Sequence, residues 1–265
     1  NKRLGNKYII EKTKDRKKAL KEADFVICSI EHGDRFKLRW QDNTIPRKYG
    51  TTEMMGENGG PGGFFHSARQ IPEILKIVDD VEKICPDAYF INYSNPLSRI
   101  CLAIMRRYPQ IKMFGLCHQI ELLTSAHLSK MLNKDLKELK LTIGGLNHFA
   151  FLFGLEDFVT GKNLMPEFNL RCVDYFEGKW DRFHYADLTF EVFNRFGYFP
   201  YVGDNHLCEY VPFGSEFTKI DDIKDWITKM EQANLGTNAR LKRYHKRLKK
   251  GRYPRKGMVM GGPSG

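Results

Sequence analysis

The sequence predicts an α/β protein, a parallel doubly wound sheet followed by a second unit of mixed structure. Three observations predict it. Short, continuously apolar runs recur at residues 25–30, 88–93 and 112–117. Segments with helical apolar spacing separate them, and each run ends in polar residues. Apolar runs of this length, bounded by turn residues and alternating with helices, predict buried parallel strands.

The elements follow in order. Residues 15–22 read as a helix, with Ala19 and Leu20 among Lys and Glu. The first strand occupies 25–30 and a loop 31–34. Residues 35–53 are polar, with scattered aromatics, and fit neither template. Gly-Glu-Asn-Gly-Gly-Pro-Gly-Gly at 56–63 predicts a tight, backbone-exposed loop rather than regular structure. Ile71, Ile74, Leu75, Val78 and Val81 predict a helix over 64–85, ended by Pro86. The strand at 88–93 runs into Ser94-Asn95-Pro96, and a helix over 97–108 follows. After the third strand, His118 and Gln119 open a helix reaching 132. Beyond it, strands at 139–144 and 149–155 flank Gly145-Leu146-Asn147-His148. Residues 181–195 read as a helix stopped by Gly197-Tyr198-Phe199-Pro200, and 202–213 as a polar, aromatic loop. The boundary between the units falls at 118/119, giving residues 1–118 and 119–265.

A chain of 265 residues with 42% hydrophobic content can bury one large core or two modest ones. No run approaches the roughly 18 apolar residues of a membrane span, and the N-terminus carries no secretory pattern. The six cysteines form no CxxC pair, which reads as a reduced, cytoplasmic protein. The formal charge of +11 resembles a nucleic-acid signal. Ten Lys or Arg and no acid fall between Arg240 and Lys256, however, so the excess belongs to one segment. A solvated helix face explains it, and no nucleic-acid-binding motif accompanies it. The first residue is not Met and the last five are Gly-Gly-Pro-Ser-Gly, so both ends are expected to be truncated.

Ligands of such sheets bind at the C-terminal strand ends. Here those ends carry Ser29 to Glu31, Asn92 to Asn95, and Cys117 with His118. A thiolate from Cys117, an imidazole from His148 and oxygens from a substrate would suit a borderline divalent cation. Taken alone, Cys117 reads equally as a small buried hydrophobe and His148 as a turn residue. Asn95-Pro96 is either an ordinary turn or an amide at the sheet edge. The glycine-rich segment lacks the Lys-Ser/Thr of a phosphate loop and contains no complete GxGxxG. Asp204, His206, Glu209 and Tyr210 cluster within seven positions, as a general base or as a solvated loop.

In this order the segments resemble glycoside hydrolase family 4. The matching stretches are Ala23-Asp24-Phe25-Val26-Ile27, Gly60-Pro61-Gly62-Gly63 with Arg69 and Ile71-Pro72, and Asn92-Tyr93-Ser94-Asn95-Pro96. Gly115-Leu116-Cys117-His118, Gly144-Gly145-Leu146-Asn147-His148, and Gly197-Tyr198-Phe199 with Glu209-Tyr210 complete them. The resemblance implies a Rossmann-type NAD domain, incomplete at its N-terminus, joined to a C-terminal α/β domain like that of lactate and malate dehydrogenases. In those terms, 1–118 is a partial NAD-binding domain and 119–265 a partial substrate and metal domain. A strand with a glycine-rich turn is expected upstream of Asn1.

The resemblance also implies a chemistry. NAD⁺ takes a hydride from sugar C3, a cation such as Mn²⁺ binds the oxygens on C2 and C3, a base removes the C2 proton, and the glycosidic oxygen leaves. It implies Cys117 and His148 as metal ligands, Asp204 as first choice for the base and His206 as second, and His118 as the acid. Ser29, Ile30, Asn92 and Asn95 fall at the cofactor edge. Asn95, Asn147, Arg69 and Glu57 fall in the sugar pocket. The substrate implied is an α-linked hexoside or hexuronide, and the assembly a dimer or tetramer of identical subunits, with no nucleic-acid or membrane partner. The competing readings are a malate/lactate-type dehydrogenase, which shares the fold, and a basic binding module built on the Arg240–Lys256 segment.

Overall fold

The computed structural model describes residues 9–51, 56–117, 119, 128–175 and 187–217, with scattered positions between 232 and 250. Helix α1 (Arg16–Leu20) is capped by Asp15, whose carboxylate accepts from the N–H groups of Lys17 and Lys18. Strand β1 (Phe25–Cys28) follows, then helix α2 (Arg35–Arg47), capped by Asp34. The long helix α3 (Gly60–Ile84) leads to β2 (Tyr89–Asn92), helix α4 (Leu97–Arg107) and β3 (Met113–Gly115). The three strands form one parallel sheet in the order β1-β2-β3, with Val26 opposite Phe90 and Phe90 opposite Met113.

The inward face of this sheet presents Cys28 and Phe90 to Ile74, Val78 and Val81 of α3 and to Ile100 and Ile104 of α4. Spacings of three and four along α3 create that stripe. The other face is open among the described residues. Phe25 and Ile27 are each 65% exposed, and Phe25 stacks on Tyr89 at 5.7 Å. The expectation of strands buried on both faces therefore holds for one face only.

Two further expectations change here. Residues 35–47, which fit no template, form α2. Its hold on the fold comes from packing on α3 and from ion pairs rather than from an apolar stripe, so periodicity could not reveal it. The glycine-rich segment is not a backbone-exposed loop. Gly60 to Gly63 make the first turn of α3, with Pro61 at its start, and Gly56 to Gly59 are buried. The glycines serve close approach. A Cβ on Gly59 would lie 2.6 Å from the Glu209 carbonyl oxygen, and one on Gly62 2.6 Å from that of Asp42.

The second unit starts with α5 (Ser129–Leu132). Of the helix expected from 118 to 132, residues 118 and 120–127 lie outside the described residues. Strands β4 (Leu139–Leu146) and β5 (Phe149–Asp157) form an antiparallel hairpin whose turn is Asn147-His148. Helices α6 (Met165–Asp174) and α7 (Asp187–Phe196) follow, and residues 181–186 of the helix expected there lie outside the described set. Phe199 and Pro200, read as a helix stop, pair with β5 as edge strand β6. Leu152, Leu155, Phe168 and Phe199 fill the core beneath. The segment read as a loop from 202 holds a short helix, α8 (Asp204–Leu207). In the basic C-terminal stretch, Lys242, Arg243, His245, Lys246 and Lys249 are helical and exposed, Lys250 is an exposed turn residue, and the rest lies outside the described residues. No described helix is long and apolar enough to cross a membrane.

Candidate active site

Cys117 leaves the C-terminal end of β3, and His148 sits in the β4–β5 turn. The turn holds His148 in the left-handed region at φ +61°, which aims its ring back over the sheet edge. Tyr210 steadies the turn by donating from its hydroxyl to the Asn147 carbonyl at 3.0 Å. Burial, reinforced by the Glu209 charge, pushes the Tyr210 hydroxyl up to about 12, so it remains a donor at neutral pH. Cys117 Sγ and His148 Nε2 then stand 3.4 Å apart. That separation is shorter than the sum of ordinary metal–thiolate and metal–imidazole bonds, about 2.3 and 2.1 Å, so one cation reaches both. The Asn58 amide Nδ2 donates to His148 Nδ1 at 2.7 Å, which fixes the ring with Nε2 towards the sulfur; a cation on Nε2 would require the amide turned over, so that Oδ1 accepts from Nδ1–H. Among the described residues no third His, Cys, Asp or Glu completes a metal set. The pair fits a cation that takes its remaining oxygens from elsewhere.

His206, on α8, is buried and stacks on His148 with ring centroids 3.9 Å apart. Its Nδ1 lies 3.6 Å from Glu209 Oε1. The Glu209 carboxylate is fully buried and accepts from three backbone N–H groups, those of Glu57 (3.3 Å), Asn58 (2.6 Å) and Gly59 (2.7 Å). These groups lead into the N-terminus of α3, where the helix dipole favours an anion. One carboxylate thus joins the second unit to the first and sets Asn58 against His148.

Asp204 goes elsewhere. Its carboxylate accepts from Leu188 N–H, Thr189 N–H and the Thr189 hydroxyl, at 2.9, 2.9 and 2.7 Å, at the head of α7. Burial raises its pKa to about 6 against those hydrogen bonds. The first choice for a base is thereby engaged as a helix cap, and geometry leaves His206 beside Cys117 and His148. His118 lies outside the described residues.

The cofactor-edge residues divide in the same way. Asn92 is buried, and its amide is spent on Ser94, donating to the Ser94 carbonyl at 3.0 Å and accepting from its N–H at 3.2 Å. Those two bonds shape the turn at the end of β2. Ser94 Oγ in turn exchanges hydrogen bonds with both the N–H and the carbonyl of Ile30, at 2.8 and 2.9 Å, leaving Ile30 only its side chain. Ser29 is exposed and Asn95 partly so. Asn95 precedes a cis peptide bond to Pro96.

Asn95 also lines a small solvent-open pocket together with Glu57 and Arg69. Both of those charges are held by α2: Arg39 pairs with Glu57, and Asp42 takes Arg69 in a two-pronged ion pair. Burial, followed by the nearby Arg35 charge, pulls Arg39 down to about 10, still cationic at pH 7. On the opposite wall Glu31 lies 3.1 Å from His66 and accepts from Gln70 at 2.6 Å. Asn147 Oδ1 is buried without a hydrogen-bond partner. Sequence reasoning missed Asn58, Arg39 and Asp42. Asp34 as a helix cap was the one local signal for α2, and nothing local linked residue 58 to 148.

Known proteins answer to this geometry. The model of the family 4 glycosyl hydrolases matches residues 1–134, and that of their C-terminal domain matches residues 143–260. An alpha-glucosidase of Erwinia rhapontici is 39% identical over 83% of this chain and 56% of its own length. An alpha-galactosidase of Bacillus subtilis is 36% identical over 75% of this chain and 44% of its own. The chain thus spans about half the length of the curated relatives it matches. A 6-phospho-alpha-glucosidase from gut microorganisms, solved with NAD and Mn²⁺, superposes with a TM-score of 0.66 at 21% identity, over 91% of this chain and 55% of that one.

Proposed function

The chain belongs to family 4 of the glycosyl hydrolases, and from that premise we propose that the whole protein is an NAD- and divalent-metal-dependent glycosidase acting on α-linked glycosides. The observation that carries the reading is the meeting of Cys117 Sγ and His148 Nε2 at 3.4 Å from different units. When bound, NAD⁺ and a cation such as Mn²⁺ supply hydride removal at sugar C3 and polarisation of the oxygens on C2 and C3. Cys117 and His148 hold the cation, and Asn58 fixes the imidazole. Ser29, the Ile30 side chain and Asn95, at the C-terminal edge of β1 and β2, receive the nucleotide. Asn95, Asn147, Glu57 and Arg69 bind sugar hydroxyls.

His206, packed against the His148 ring with the Glu209 carboxylate 3.6 Å from its Nδ1, takes the C2 proton, and His118 protonates the leaving oxygen. The engaged carboxylate of Asp204 supports His206 over Asp204 in that role. The family match favours this reading over a malate/lactate-type dehydrogenase. Residues 1–118 serve the nucleotide and lend Cys117 and part of the sugar pocket, and residues 119–265 supply His148 and His206 for the metal and sugar.

That none of the six cysteines is in a disulfide supports a reducing, cytoplasmic setting. We propose a homo-oligomer, which sedimentation of the full-length protein tests. For the basic C-terminal helix we propose a solvated face and no nucleic-acid partner.

The decisive experiment follows full-length protein, NAD⁺ and Mn²⁺ on a nitrophenyl α-glycoside in D₂O. Deuterium enters the product at C2, and Cys117→Ser lowers both Mn²⁺ affinity and turnover by about 100-fold or more. Turnover that needs neither NAD⁺ nor a metal overturns the proposal.

A further inference from the structure

We infer that Arg39 of α2 is a positioning residue for the metal site, holding residues 57–59 so that Asn58 keeps the His148 ring aimed at Cys117. The inference rests on the reading of Cys117 and His148 as metal ligands.

Two buried carboxylates meet at residues 57–59. The Glu209 side chain is 0% exposed and accepts from the N–H groups of Glu57, Asn58 and Gly59. Glu57 brings a second carboxylate to the same segment, with its side chain 6% exposed. Buried anions this close repel each other, and without a counter-charge each carries a large desolvation cost. Arg39 supplies the counter-charge. Its guanidinium pairs with Glu57 and is itself mostly buried. Burial, followed by the Arg35 charge, works against the Arg39 cation, and the carboxylates of Glu31, Glu209 and Asp42 support it. One cation from α2 therefore answers both carboxylates that meet at the segment.

The backbone of α2 presses on the same stretch of chain. A Cβ on Gly62 would lie 2.6 Å from the Asp42 carbonyl oxygen, and one on Gly56 3.4 Å from it. From there the path to the metal ligands is short. Asn58 Nδ2 stands 2.7 Å from His148 Nδ1, and His148 Nε2 stands 3.4 Å from Cys117 Sγ. A shift of the segment by about 1 Å takes the Asn58 contact out of hydrogen-bond range. Arg39 thus acts on His148 through Glu57 and Asn58. Groups that orient a metal ligand in this way change metal affinity by about 10- to 100-fold.

Titration of the full-length protein with Mn²⁺ alone, without sugar or turnover, tests the inference. Arg39→Met weakens Mn²⁺ binding by about tenfold or more, and Arg39→Lys, which restores the charge, recovers part of the loss. Because the effect passes through Asn58, Arg39→Met combined with Asn58→Ala costs less than the product of the two single losses. In the metal-free protein, the His148 Nδ1 resonance moves with Arg39→Met as it does with Asn58→Ala. Arg16→Met is the control for general destabilisation. It breaks a pair with Asp80, about 30 Å along α3 from Gly60, and leaves Mn²⁺ affinity unchanged. If Arg39→Met does not fold, the isosteric Glu57→Gln takes its place and also weakens Mn²⁺ binding. Unchanged Mn²⁺ affinity in whichever of these two folds overturns the inference. Fully multiplicative losses with Asn58→Ala, or an equal loss in Arg16→Met, do the same. Any of those results beside NAD⁺- and Mn²⁺-dependent hydrolysis of a nitrophenyl α-glycoside by the native protein leaves the glycosidase reading standing. The expected losses in a protein that hydrolyses no glycoside keep the inference and overturn that reading. A native protein that does not bind Mn²⁺ overturns both.

Discussion

Two carboxylates from one short segment accept from backbone N–H groups, one at the head of α7 and one in the segment before α3, and the two do different work. Asp204 caps α7, 16 positions before it in the chain, entirely within the second unit. Glu209 accepts from the N–H groups of Glu57, Asn58 and Gly59, just before α3 and about 150 positions away. The first bond is local architecture. The second places Asn58 against His148 and holds a carboxylate beside His206, so the site depends on it. Physically similar interactions, five residues apart, thus divide into one that folds a unit and one that assembles a site between units.

The largest effect that would sharpen this contrast comes from Glu209→Ala. It strands three buried N–H donors and costs about 3 kcal/mol or more in urea unfolding, together with most of the activity of the full-length protein. If activity survives while stability falls, the contrast fails. Asn58→Ala comes next. It frees the His148 ring and lowers Mn²⁺ affinity by about 10- to 100-fold in a direct titration, with little change in stability.

Asp204→Ala follows, at about 1–2 kcal/mol of stability from the lost cap, with turnover retained. Loss of turnover at unchanged stability would return Asp204 to the chemistry and break the comparison from the other side. The smallest effect is in pH dependence. Asp204 has a folded-state pKa near 6, above its ordinary value of 3.8, so the folded state binds the proton more tightly. Its contribution to stability is present below about pH 4 and is lost as pH rises through 6. Unfolding of the native protein at pH 4.5 and 7 should show this loss, and Asp204→Asn should flatten that slope while keeping the cap.

The parallel sheet was readable because each strand is a short apolar run and each crossover helix repeats its apolar residues every three or four positions. The Cys117 and His148 motifs were readable because each ends a strand or makes a turn. The α2 helix escaped the reading because its partners, Glu57 and Arg69, are charged residues far away in the chain. Asp204 and His206 stand two positions apart on one short helix, and their spacing could not say which of them faces the site. The glycines at 59 and 62 read as loop residues because composition carries no record of the Glu209 and Asp42 backbones that press against them.

The sequence by itself determined the α/β class and the order of strands and crossovers, because periodicity and strand ends are local properties, whereas Cys117 and His148 were singled out as a pair by the resemblance to a family. Only the tertiary structure decided that Asp204 is a cap, that His206 lies on His148, that Asn92 is locked into its turn, and that the charges around Asn95 pair off. Each of those depends on which distant group arrives within hydrogen-bond reach, and that is set by packing between segments rather than by any segment alone.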